Sequence, residues 1–187
     1  MIPMKNKKKN LEATVEEMRN FSFAYIEKYA PSKQQLRTYL LKKYLKVNIP
    51  NISKKNITDL IDVVLNDLEN SKFINDQFYS KSKAKSLIKR GSSINKIRSY
   101  LISKGVSDKY VRNTIEEIKE TNEDQDFFSA IKICKKKRIG PARNDSNRPL
   151  FYKKDIGVLA RAGFDFETSK KIMDLDSGEY SKIINLL

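Results

Sequence analysis

The chain has 187 residues, 39% of them hydrophobic, enough to pack a core in one domain or in a short array of small modules. Lys and Arg number 38 against 23 Asp and Glu, a net charge of +15 that points to a polyanionic partner, or to no more than a lysine-rich composition. The absence of histidine removes the commonest general base and metal ligand, and a single cysteine excludes an intrachain disulfide.

Residues 1–13 read as a flexible basic tail. No apolar segment of the kind a secretion signal carries follows the basic start, and no run approaches the ~20 apolar residues that cross a bilayer. A reduced, cytoplasmic protein with no membrane contact is expected. Thr14 and Glu17 have capping-box spacing and open a helix with Met18, Phe21, Tyr25 and Tyr29 on one side. Pro31 stops it, and Ser32 caps a second helix with Leu36, Leu40, Tyr44 and Val47 as its apolar positions. Pro50 marks a loop, after which Leu60, Ile61, Val64, Leu65 and Leu68 form the apolar face of a third helix.

The same plan then recurs. The stretch Phe73-Ile74-Asn75-Asp76-Gln77-Phe78 opens the next helix, with Asn75 or Asp76 as cap and the two phenylalanines packing at the junction; a metal role for Asp76 is the weaker reading. Ala84, Leu87 and Ile88 give that helix its apolar side, and Gly91 ends it in the left-handed conformation. Ser92 or Ser93 caps a helix carrying Ile94, Ile97 and Leu101, which Gly105 ends. Ser107 and Asp108 open a helix whose stripe Tyr110, Val111, Thr114, Ile115, Ile118 repeats the Leu60 to Leu68 stripe fifty residues on. Leu36-Arg37-Thr38-Tyr39-Leu40 likewise matches Ile97-Arg98-Ser99-Tyr100-Leu101.

A weaker third copy has Phe127, Ala130, Ile131 and Cys134 on one face, with Cys134 as a small core residue. A loop at 139–149 follows. A helix then ends at Leu159-Ala160-Arg161-Ala162-Gly163-Phe164, in register with Leu101 to Val106, and a last helix from Phe166 carries Ile172 and Met173. Gly178 suggests a break and a short terminal turn. The expected fold is all-α: an elongated array of three tandem three-helix, helix-turn-helix-like repeats at 14–72, 73–121 and 122–187.

No motif for catalysis, a cofactor or a metal is present. The functional candidates are cations. Lys81, Lys85 and Lys89 recur every fourth residue and form one helical stripe, with Arg90 beside it. Lys135, Lys136, Lys137 and Arg138 occupy the equivalent region of the third copy, near Lys132. Arg98 and Arg161 stand on the second helices. Each group is either a solvated face or part of one binding surface.

Several motifs carry a family resemblance. They are Tyr25 to Ser32 with Leu36-Arg37; Phe73 to Asp76 with Phe78; Lys89-Arg90-Gly91 with Ile97-Arg98, Leu101 and Lys104-Gly105-Val106; and Arg138-Ile139-Gly140-Pro141 with Arg143 and Leu159 to Phe164. In this order the chain resembles the RecX family of regulators of the RecA recombinase, its alphaproteobacterial branch above all. The resemblance implies a monomeric, non-enzymatic, cytoplasmic protein without cofactors. It also implies binding in the groove of the RecA filament on single-stranded DNA, with modulation of recombination, DNA repair and ATP hydrolysis. The residues left one alternative open, a helical protein that binds nucleic acid directly. Tyr79 and Lys72 stand where the family usually has Ala and Gly.

Overall fold

A computed structural model describes residues 11–47, 49, 50 and 52–186, and the first ten residues of the expected basic tail lie outside it. Among the described residues there are ten α-helices and no strand, so the all-α expectation holds. The chain divides into two compact units, 1–76 and 77–187.

The first unit contains α1 (Val15–Tyr29), α2 (Lys33–Tyr44) and α3 (Lys54–Asn70). α3 packs against both of the others. Met18, Leu36, Leu40, Tyr44, Ile61 and Leu65 are among the side chains removed from water at their junction. Each helix start satisfies its free N–H groups locally. Thr14, Ser32 and Ser53 accept from the backbone of Glu17, Gln35 and Asn56, and Gln35 returns the bond to complete a capping box at Ser32. At Thr14 the box is half formed, because Glu17 Oε2 accepts from the Glu12 N–H and the Tyr44 hydroxyl instead. Burial and the Glu17 carboxylate push the Tyr44 phenol well above its usual range. Val47 lies beyond the end of α2 and is exposed, so the apolar stripe stops at Tyr44.

The second unit runs through α4 (Asp76–Lys89), α5 (Ile94–Ser103), α6 (Asp108–Thr121), α7 (Gln125–Lys137), α8 (Arg148–Arg161), α9 (Phe166–Met173) and α10 (Ser177–Asn185). Two buried clusters hold it together, one from Tyr79 to Ile115 and one from Ala130 to Met173. Gly91, at φ +78, turns the chain out of α4, and a Cβ there would stand 3.0 Å from the Ser129 carbonyl and 3.1 Å from Lys132 Cβ on α7. Gly163, at φ +90, brings the α8–α9 turn closer still to the α5 start, where a Cβ would stand 2.5 Å from Ser93 Oγ and that hydroxyl donates to the Ala162 carbonyl at 2.9 Å. Ser93, not Ser92, is the cap.

Two aspartates each accept from the first N–H of an earlier helix. The Lys33 N–H, first in α2, donates to Asp76 Oδ1 at 2.8 Å, and the Ile94 N–H, first in α5, donates to Asp126 Oδ1 at 2.7 Å. Asp76 therefore serves the start of α2, two helices earlier in sequence, beyond any role at the start of α4. Burial raises the pKa of both carboxyls, against the opposing pull of these backbone donors. The expected packing of Phe73 and Phe78 gives way to a buried Ile74. Phe73 is 54% exposed and meets Phe23 edge-on, while Phe78 is 72% exposed. Tyr29 and Phe166 are also exposed, so the aromatics are less uniformly core than their helical positions suggest.

The 139–149 loop is ordered by a buried acid. It folds into two short 3-10 turns, Gly140–Ala142 and Asp145–Asn147. Asp155 on α8 accepts from the Gly140 N–H at 2.9 Å and from both arms of Arg143 at 2.6 and 2.9 Å. Burial pushes this carboxyl up, but the Arg143 and Gly140 donors together outweigh burial and hold it below the usual range. After α9 the chain turns at 174–176 and α10 starts with an Asp176–Glu179 capping box. Gly178 sits in the first turn of this nine-residue helix, so the expected short terminal turn is a helix.

Candidate functional site

The lysine stripe keeps its predicted spacing on α4. Tyr79 and Ala84 turn inward and Leu87 and Ile88 are half-buried, which leaves Lys81, Lys85 and Lys89 exposed. They line a groove of about 520 Å³ between α4 and α6. Ala84 and Ile88 from α4, with Thr114 and Ile118 from α6, line it as well. Thr114 is buried, and its hydroxyl is without a hydrogen-bond partner among the described residues.

The three lysines are not equivalent. Lys81 Nζ sits 2.6 Å from Glu117 Oε2 on α6, so one end of the groove is self-neutralised. Both partners are about half exposed, and such a pair adds little stability. Lys85 and Lys89 form no ion pair among the described residues. Lys83 faces elsewhere, with its ammonium 5.5 Å from the Tyr79 ring centre.

The second cluster closes α7. Lys135, Lys136 and Lys137 are exposed in its last turn, where cations complement the helix dipole. Arg138 is exposed as the left-handed C-cap, φ 54°, and its N–H donates to the Cys134 carbonyl. The close approach of Gly91 to Lys132 brings the end of α4, with Arg90, against the middle of α7. Lys136 lies one helical turn beyond Lys132. The observed approach is that of Gly91 to the middle of α7, at Ser129 and Lys132.

The remaining candidates are more scattered. Arg98 is half-buried on α5. Arg161 is exposed at the end of α8, where its guanidinium folds back over Gly157. Arg143 is committed to Asp155 and lies 4.3 Å from the Phe151 ring centre, which makes it a loop anchor.

Charge is unevenly placed. The second unit holds 24 basic and 14 acidic residues, whereas residues 11–76 hold 10 and 9. Three of the ten cations of residues 11–76 pair across helices, Arg19 with Asp67, Lys33 with Glu69 and Arg37 with Asp62.

The single thiol is placed as a core group. Cys134 is fully buried, and burial, with Asp155 nearby, pushes its thiol up to about 12. Among the described residues no three His, Cys, Asp or Glu side chains cluster as metal ligands, and no helix is long and apolar enough to cross a membrane.

The chain is 30% identical over 159 residues to the regulatory protein RecX of Myxococcus xanthus (strain DK1622), covering 84% of each protein. The chain belongs to the RecX family. No family model and no solved structure matches it. The first-unit motif of this RecX-family chain centres on buried Leu36, its second on Ile97 and Leu101, and its third on Leu159 and Phe164. The shared motifs thus fall largely on core and cap positions, and the groove wall on α6, with Thr114, Glu117 and Ile118, is visible only once α4 and α6 are placed together. The fifty-residue offset from Asp76 to Asp126, equal to that between the two apolar stripes, was the sequence signal for the paired aspartates.

Proposed function

We propose that this protein is a cytoplasmic, monomeric regulator that binds RecA on single-stranded DNA, within the groove of the nucleoprotein filament, and restrains recombination and ATP hydrolysis. The observation that carries this reading is the similarity to a regulatory RecX protein over 84% of the chain. It acts by binding and not by catalysis, a view supported by a lone thiol held protonated at neutral pH. The contact surface is the basic face of the second unit: Lys85, Lys89 and Arg90 on the α4 side, and Lys135, Lys136, Lys137 and Arg138 on the α7 side, with Lys81, Arg98 and Arg161 at its margins. Three repeats at 14–72, 73–121 and 122–187 belong to the same proposal, and the three separate buried clusters support them.

The excess of cations in the second unit also favours a second reading, direct binding of nucleic acid without a recombinase. Co-sedimentation of the protein with RecA filaments, beside bare single-stranded DNA, separates the two. The recombinase reading requires capture by filaments at concentrations where bare DNA captures little. Equal capture by both favours the second reading.

A further inference from the structure

The α4–α6 groove combines two surfaces that a phosphate chain does not need together. Its wall is apolar where Ala84, Ile88 and Ile118 meet, and its rim carries Lys85 and Lys89. The Lys81–Glu117 pair caps one end without net charge, so the lining cations outside any ion pair among the described residues are Lys85 and Lys89, about 6 Å apart along the helix. Sequence-independent binding to a phosphate backbone rests instead on many cations. An apolar trough with a few polar groups at its edge is how proteins take segments of other proteins. The Thr114 hydroxyl lies beneath the groove wall, buried and without a hydrogen-bond partner among the described residues.

We infer that this groove takes a short acidic segment of the partner protein. One apolar side chain of that segment fills the trough beside Ile88 and Ile118, and two carboxylates one helical turn apart meet Lys85 and Lys89. The spacing suits carboxylates four residues apart on a helix, or two apart on an extended strand. This inference rests on the proposed recombinase partner and assigns that partner's contact to protein, not phosphate.

Two variants test it, both at exposed positions. Thr121→Trp, from the last turn of α6, plugs the groove while leaving every cation in place. The double change Lys85→Glu, Lys89→Glu reverses the rim. Binding of labelled protein is measured by anisotropy to RecA filaments and to bare single-stranded DNA, with circular dichroism as the check on folding. Each variant should weaken filament binding by about tenfold or more, the size of a central interface contact, and Thr121→Trp, which keeps every cation, should leave bare-DNA binding within about twofold. Undiminished filament binding by Thr121→Trp overturns the groove site alone, since the wild type still binds. A parallel loss on bare DNA by the double variant overturns the protein segment in favour of phosphate. Failure of the wild type to bind filaments removes the recombinase reading and this inference with it.

Discussion

Replacing Asp126 with alanine removes the acceptor that meets the first N–H of α5, 2.7 Å away. Ile94 is buried, so its N–H loses its partner with little water to replace it. Loss of a helix-start acceptor costs about 0.5–2 kcal/mol, and a buried unmet donor about 1–3 kcal/mol. The desolvated carboxylate offsets part of this, because its raised pKa means that the folded unit holds the charge at a cost. The net expectation is about 1–2 kcal/mol, or a fall in Tm of about 2–8 °C for a chain of this size. Asp126→Asn keeps an acceptor of the same shape without the charge and should stay within about 0.5 kcal/mol of the wild type. The sign of the pH dependence follows from the raised value. The folded protein binds the proton more tightly than the unfolded chain, so stability relative to Asp126→Asn grows as pH falls through the folded pKa and is lost as pH rises through it. Urea unfolding followed by circular dichroism, at pH 7 and at pH 4.5, measures each difference. An alanine variant as stable as the wild type, or an asparagine variant as damaged as alanine, refutes the assignment.

Arg143→Ala strands the Asp155 carboxylate, 1% exposed, with the Gly140 N–H as its remaining close donor, and should cost about 3 kcal/mol at pH 7. Since the wild-type Asp155 pKa is lowered, the stability its ionised form contributes is lost as pH falls through that value, and the gap between the proteins should narrow below about pH 4 in the same urea assay. Leu101→Ala and Leu159→Ala, both fully buried, should each cost about 2–5 kcal/mol by thermal unfolding. Cys134→Ser should cost about 1–3 kcal/mol through its buried hydroxyl and leave filament binding intact once folded; a folded variant that has lost binding contradicts the core role.

The helices were legible because their signals are local. Ser32 and Ser93 precede apolar stripes, Gly91 and Gly105 follow them, and both kinds of residue act within one turn. Leu36, Leu40, Ile97 and Leu101 are fully buried as their spacing indicates. The readings that shifted depended on distant residues. Glu17 had a partner in Tyr44, 27 residues away, that competed with its own cap. Asp76 found a helix start 43 residues back, and Lys81 found Glu117 on another helix. Gly178 looked like a stop because glycine is a poor helix former, but in the first turn the Asp176–Glu179 box outweighs that preference. The α4 stripe was visible as a period of four, whereas the groove beside it needs α6, whose sequence shows only an amphipathic helix.

The most direct test of the central claim is the ATP hydrolysis rate of RecA filaments on single-stranded DNA, titrated with this protein at two salt concentrations. The account predicts a saturable fall in the rate, and a weaker fall with Lys85→Glu, Lys89→Glu, the difference being larger at low salt where charge attraction is least screened. A rate that stays constant up to saturating protein at both salt concentrations contradicts it.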